Sequence, residues 1–114
     1  MKLSEVRDIL KATVVVGDDK LVMEISDAAA SDLMSDLLSN YQEGSLLLTG
    51  VTNIQVINTS LIAGITAIIF VRGKEPNSEV IALAEEHGIP ILKSSYNMYS
   101  SCGMLFSNGL KNIR

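Results

Sequence analysis

A continuous apolar segment constrains the fold of this chain more than any other feature of its sequence. Residues 65–71 read Ile-Thr-Ala-Ile-Ile-Phe-Val, a run rich in β-branched side chains. A strand with one face in water would alternate apolar and polar residues, so this run predicts a strand that is buried on both faces. Strands of that kind belong to parallel sheets that are covered by helices on both sides.

The segments around this strand alternate between strand and helix patterns. We predict buried or half-buried strands at residues 13–16, 45–48 and 89–92, and a strand at 21–25 that pairs with 13–16 as a hairpin. Helices are predicted to begin near residues 4, 27, 52, 77 and 98. This order predicts one α/β domain over residues 1–114, a three-layer α/β/α architecture with a mainly parallel central sheet of about four or five strands.

Local signals mark several helix and strand ends. Thr52 with Gln55 forms a capping-box pattern, Gly88 is expected to end a helix in the left-handed conformation, and Gly109 before Leu110 predicts a Schellman ending. Pro90 begins the strand at 89–92, which predicts either an edge position or a missing ladder bond.

The helix predicted after Ser26 or Asp27 has two distinct faces. Apolar residues recur on one face at the spacing of an amphipathic helix. They are Ala30, Leu33, Met34, Leu37, Leu38 and Tyr41, and the opposite face carries Asp32, Ser35, Asp36 and Ser39. That polar stripe would suit a cation or a basic partner, but a solvated helix face is the simpler interpretation.

Composition excludes several classes of function. The formal net charge is −4 and the pI is about 4.8, with no basic cluster, which argues against binding to nucleic acid or to an anionic membrane surface. No apolar run approaches the roughly 20 residues of a membrane span, and residues 1–10 do not form a secretory signal. The single cysteine, Cys102, excludes an intrachain disulfide and favours a cytoplasmic location.

Residues that could carry catalysis or bind a metal are sparse. His87 is the only histidine, in the last turn of a predicted helix, and Cys102 falls on an apolar helix face, so structural roles are expected for both. One histidine and one cysteine make a transition-metal site improbable. No Ser-His-Asp or Cys-His pairing can be argued from one histidine, and the glycine-rich motifs of the standard dinucleotide and triphosphate sites are absent. We therefore predict no catalytic residue, no metal and no cofactor.

Three predicted strand ends should meet at one edge of the sheet. They carry Thr49-Gly50, Arg72-Gly73-Lys74 and Ser94-Ser95, each before a helix start, with Asn53 beside the first. Helix N-termini attract anions, and open α/β sheets bind ligands at the carboxyl ends of their strands. We therefore predict a binding site for a nucleotide or a phosphorylated metabolite at these residues. The alternative is that they are ordinary loop and capping residues.

Four strings in the chain resemble those of the DRTGG domain family, and they occur in the right order over nearly the whole chain. They are residues 30–38, 47–50, 71–74 and 84–91. The resemblance implies an α/β/α fold similar to the amino-terminal domain of HPr kinase/phosphorylase. The name-giving Asp-Arg-Thr-Gly-Gly is not present, and only Leu48-Thr49-Gly50 resembles its Thr-Gly part.

In that family the domain occurs alone or fused to cystathionine-β-synthase-type domains in inorganic pyrophosphatases, and it is regarded as regulatory or dimer-forming. The resemblance therefore implies a non-enzymatic homodimer that modulates or scaffolds a partner enzyme. A sensor for a nucleotide or phosphometabolite is the alternative. A minimal phosphotransferase is the third possibility, with only dispersed carboxylates such as Asp18, Asp19, Asp32 and Asp36.

Overall fold

The computed structural model describes residues 1–38 and 43–111. Its helices and strands follow one another along the chain as the alternating pattern requires. In order they are α1 (Leu3–Leu10), β1 (Thr13–Val16), a 3₁₀ turn (Asp18–Lys20), β2 (Asp27–Ala30), α2 (Met34–Leu38), β3 (Ser45–Thr49), α3 (Ile54–Ala63), β4 (Ile65–Phe70), α4 (Ser78–His87), β5 (Ile91–Lys93) and α5 (Met98–Ser107).

The five strands form one sheet in the order β1-β5-β4-β3-β2. Strands β2 to β5 are parallel to one another, and β1 is antiparallel to β5 with Thr13 opposite Lys93. The apolar segment therefore forms the middle strand, as predicted. The parallel directions also bring the carboxyl ends of β3, β4 and β5 to one edge of the sheet, as predicted.

The middle strand is buried on both faces, and its side chains divide the core into two layers. Ile68 and Phe70 pack in the layer under α2, α3 and α4, whereas Ala67 and Ile69 pack in the layer under α1 and α5. All four residues are fully buried. Burial of each large apolar side chain is worth about 1.5–3 kcal/mol, so this strand stabilises both layers of the core.

The predicted hairpin of residues 21–25 with β1 is wrong. Leu21 and Met23 instead accept hydrogen bonds from the amides of Ser4 (2.9 Å) and Leu3 (3.0 Å), and Glu24 forms an isolated bridge with Lys2. The first amides of a helix have no partner within the helix, and this segment supplies two of them for α1. Strand β1 is thus left to pair with β5.

The predicted helix start at Ser26 or Asp27 is also wrong, because Asp27–Ala30 forms strand β2. Ala28, Ala29 and Ala30 lie opposite residues 46–48 of β3, and the buried Asp27 accepts a hydrogen bond from the Ser45 hydroxyl. Alanine has the highest helix propensity of any residue, but propensity is a weak determinant, and here pairing with β3 overrides it. The helix begins later, at Met34. Tyr41 and Ser39 of its predicted faces lie outside the described residues.

An edge position for the strand after Pro90 is wrong as well, since β5 lies between β1 and β4. Pro90 immediately precedes β5, so its missing N–H falls outside the strand, and its carbonyl accepts the amide of Ile68 at 3.0 Å. Strands β1 and β2 form the edges of the sheet.

Most predicted helix ends are confirmed. Gly88 ends α4 with φ of 68°, and the amide of Leu110 bonds to the carbonyl of Leu105 at 3.0 Å, as a Schellman ending requires. The Thr52 cap is wrong by one residue, because Asn53 occupies the N-cap position of α3.

Candidate ligand-binding rim

Backbone hydrogen bonds tie the three predicted strand ends into one surface, which we call the rim (residues 49–53, 71–74 and 94–96). The amide of Val71 donates to Thr49 at 3.0 Å, and the amide of Gly73 donates to Ser94 at 2.8 Å. The amide of Arg72 donates to the carbonyl of Tyr96, also at 2.8 Å. The structure therefore brings the predicted segments together through fixed backbone contacts.

The first segment is held by an aspartate from another loop. Asp32 follows β2 and accepts hydrogen bonds from the amide of Gly50 (2.7 Å) and the hydroxyl of Thr49 (3.1 Å). The Thr49 hydroxyl in turn accepts the amide of Val51 at 3.1 Å, and its residue is fully buried. Asp32 thus orients this loop instead of lying on a solvated helix face, and the Thr49 side chain is occupied within the protein.

The second segment contains a left-handed arginine. Arg72 has φ of 59° and Gly73 has φ of 65°, and the amide of Lys74 bonds to the carbonyl of Val71 at 3.2 Å. These features match a type I′ turn, in which Asn, Asp or Gly is the usual first central residue. A side chain with a Cβ is disfavoured there by roughly 1–2 kcal/mol. Such an outlier is a reason to look for a function of the side chain.

The Arg72 guanidinium lies directly over Gly50. A Cβ built on Gly50 would overlap the guanidinium, coming within 3.0 Å of its Cζ. Arg72 forms no ion pair with any residue in the described ranges. The absence of a side chain at position 50 therefore lets this exposed cation lie across the end of β3, beside the backbone of the neighbouring strand end.

The remaining predicted residues differ in their access to solvent. Ser94 is buried, and its hydroxyl donates to Leu10 at 2.8 Å, so it joins α1 to β5. Ser95, Lys74 and Asn53 are exposed, and the Asn53 side chain makes no capping hydrogen bond. Access to a ligand is thus available from Gly50, Asn53, Arg72, Gly73, Lys74 and Ser95, whereas the Thr49 and Ser94 side chains serve the fold.

The structure adds three residues that the sequence interpretation missed. Lys11, Thr13 and Lys93 line a cavity of about 280 Å³ together with Gly73, Ser94 and Ser95. Lys11 and Thr13 reach the rim because β1 runs antiparallel to β5, so that its first residue lies beside the last residue of β5. If β1 had formed a hairpin with residues 21–25 instead, Lys11 and Thr13 would not need to lie beside Lys93.

Within residues 1–38 and 43–111, no three His, Cys, Asp or Glu residues are grouped as metal ligands would be. His87 lies at the end of α4 beside the exposed Glu86, with 3.5 Å between Nε2 and Oε2. No helix in the same ranges is long and apolar enough to cross a membrane.

Burial raises the pKa of the Cys102 thiol above its usual value. We expect iodoacetamide at pH 8 to alkylate the folded protein more slowly than the urea-unfolded protein, because the thiolate is the nucleophile. The stability contributed by the protonated thiol is complete below the unfolded-state pKa and is lost as the pH rises through the folded-state pKa. Mass spectrometry follows the reaction, with Cys102→Ser as the unreactive control. Equal rates in the two states would contradict this expectation.

A second surface runs along the outside of α5. Residues 94–110 contain no Asp, Glu, Lys or Arg. Tyr99 is 88% exposed and Phe106 is 54% exposed, seven residues apart, with Gly103 between them. A Cβ built on Gly103 would meet nothing within 4 Å. These residues border a shallow groove of about 680 Å³, mostly apolar, which we call the α5 groove.

Comparisons with known proteins agree with this architecture. The family model of the DRTGG domain matches residues 5–107. The fold is shared with a crystal structure of the CBS and DRTGG domains of the regulatory region of Clostridium perfringens pyrophosphatase, complexed with its activator diadenosine tetraphosphate, at a TM-score of 0.76 and 16% identity. The match covers 91% of this chain and 45% of that one, so this chain spans less than half of its neighbour. No curated protein matches the sequence.

Proposed function

This chain belongs to the DRTGG domain family, and we propose from that premise that it is a non-catalytic, cytoplasmic regulatory module that dimerises and modulates a partner enzyme. The family match over residues 5–107 is the observation that carries the proposal. The structural neighbour supports it, because the matching fold lies in a regulatory region of a pyrophosphatase.

The non-catalytic part of the proposal has a direct test. Purified protein should neither hydrolyse nor transfer phosphate from ATP or pyrophosphate in the presence of magnesium. Activity that copurifies with the chain and disappears in an Asp32→Asn variant would support a phosphotransferase instead.

The α5 groove is the surface that we assign to dimerisation. The chain as a whole carries a net charge of −4, which disfavours self-association through acidic surfaces. Residues 94–110 contribute no charge, and the Lys111 ammonium lies 4.7 Å from the centre of the Phe106 ring. A two-fold interface brings the same surface of both copies together. Gly103 leaves space between Tyr99 and Phe106, where an identical helix can cross closely.

Tyr99→Glu is expected to dissociate the dimer, because it places a negative charge from each copy at the same interface. Light scattering at tens of micromolar should give a dimer for the natural protein and a monomer for this variant. Val22→Glu is the matched control, since Val22 is 76% exposed at a loop outside the groove. If the natural protein is a monomer under these conditions, the proposed dimer does not exist. Dissociation by Ile62→Glu in α3, but not by Tyr99→Glu, would remove the α5 assignment.

A small-molecule sensor is the second candidate function, and the left-handed Arg72 is the observation that favours it. Among the described residues the guanidinium over Gly50 has no ion-pair partner. Together with Lys74 and Ser95 on the same rim, it offers charge and hydrogen-bond donors to a nucleotide or phosphometabolite. Diadenosine tetraphosphate, ATP and AMP are suitable probes, because the neighbouring regulatory region was crystallised with the first of these. A ligand at about 100 times its Kd stabilises a protein by about 2.7 kcal/mol, which corresponds to roughly 10 °C in Tm.

A further inference from the structure

We propose that the cavity between β1 and β5 binds a phosphoryl group, and that the phosphoryl group competes with Glu75 for Lys93. The inference rests on the sensor function proposed above and names the ligand class and a second contact region. The cavity lies at the end of β5, whereas Arg72 contacts Gly50 at the end of β3, and these two strands flank β4 on opposite sides. Its volume of about 280 Å³ suits a small anion or one end of a larger molecule.

The lining of the cavity is basic and hydroxylic. Lys11 and Lys93 contribute the charge, Thr13 and Ser95 contribute exposed hydroxyls, and no carboxylate is among the lining residues. Neither of these two hydroxyls has a hydrogen-bond partner in the part of the chain that the structure describes. Ammonium groups and hydroxyls are donors, and phosphate oxygens accept from both. On an acidic chain, this concave basic surface selects for anions.

Lys11 lies in an unusual backbone position for a residue with a side chain. It ends α1 with φ of 49°, and the only other described non-glycine residue with positive φ is Arg72, the cation on the same edge of the sheet. A cation at a helix C-terminus is favourable by itself. That effect does not explain why Lys93 and two unbonded hydroxyls border the same cavity.

Lys93 connects the cavity to the loop before α4. Its ammonium forms an ion pair with Glu75, which lies in the segment between β4 and α4 and is largely exposed. Exposed ion pairs contribute little to stability, so a phosphoryl group with nearly two charges can displace the carboxylate. Binding would then release Glu75 and free the loop that leads into α4, which gives the module a way to report the ligand.

The test is a titration of ¹⁵N-labelled protein with inorganic phosphate and, separately, with AMP, followed by amide chemical shifts. We expect saturable shifts at Thr13, Gly73 and Ser95. Lys11→Gly should weaken binding about tenfold, because it removes a charged donor while glycine suits the left-handed backbone. Glu75→Gln should strengthen binding by up to about fivefold, because Lys93 no longer has a competing partner.

Lys2→Ala and Glu79→Gln are the matched controls, since each removes a charge of the same sign at an exposed residue outside both the cavity and the rim. Tighter binding of AMP than of phosphate identifies a phosphate ester as the occupant, and equal binding identifies free phosphate; both support the proposal. The proposal is overturned if the amides of the cavity residues do not shift. It is also overturned if the control variants change the affinity as much as Lys11→Gly and Glu75→Gln do. Shifts confined to Gly50 and Arg72 would overturn this cavity while leaving the sensor function in place.

Discussion

Arg72→Gly is expected to cut the rise in Tm caused by a rim ligand to about half or less, while making the fold more stable than Arg72→Ala does. Both variants remove the guanidinium, so both should weaken binding at least tenfold. Only glycine relieves the backbone strain at φ of 59°. The free energy of unfolding of Arg72→Gly should therefore exceed that of Arg72→Ala by about 1 kcal/mol. Melting curves with and without diadenosine tetraphosphate, ATP and AMP measure both effects.

Lys74→Ala is the control for charge, because Lys74 is an exposed cation in the same turn. The rise in Tm on adding ligand should be larger for Lys74→Ala than for either Arg72 variant. If no probe moves the Tm of the natural protein, and the Arg72 variants behave like the natural protein, the sensor function fails. If Arg72→Gly is less stable than Arg72→Ala, the strain assigned to this residue is absent.

Gly17→Ala is expected to destabilise the fold by about 3 kcal/mol, or roughly 10 °C in Tm. Gly17 has φ of 92°, and a Cβ would lie 2.8 Å from Cβ and 2.9 Å from Cα of Pro90. Pro90 is held in place because its carbonyl accepts the Ile68 amide from the middle strand. Strain and overlap therefore add at the junction that keeps β1 against β5.

Gly73→Ala separates these two costs. Gly73 also has positive φ, at 65°, but a Cβ there meets nothing within 4 Å. It should cost about 1 kcal/mol, from backbone strain alone. Chemical denaturation of both variants measures how much free energy of unfolding each one loses. Equal losses would mean that the overlap with Pro90 does not contribute to the destabilisation by Gly17→Ala.

Much of the architecture could be predicted from local patterns. The unbroken run at 65–71 identified the middle strand, and the endings at Gly88 and Gly109 identified two helix boundaries. Parallel strands end at one edge, so the meeting of Thr49, Arg72 and Ser94 also followed from the order of the segments. The binding role of that edge stays a prediction.

Other features could not be predicted from local patterns, because they depend on partners that are distant in the chain. Ala28–Ala30 suits a helix by propensity, yet it becomes a strand through its pairing with β3. Residues 21–25 have a loosely alternating pattern, yet their backbone groups are used by the first turn of α1. In both cases the partner is distant in the chain, and propensity does not contain that information.

The amino-acid sequence by itself determined which segment is buried on both faces and where several helices end. Only the tertiary structure decided that β1 runs antiparallel beside β5, which brings Lys11 and Thr13 to Lys93. It also decided that Asp32 holds the Gly50 loop and that Arg72 adopts a left-handed backbone. The physical reason is that hydrophobic periodicity records burial, whereas strand partners and loop contacts depend on which distant groups satisfy each other's hydrogen bonds.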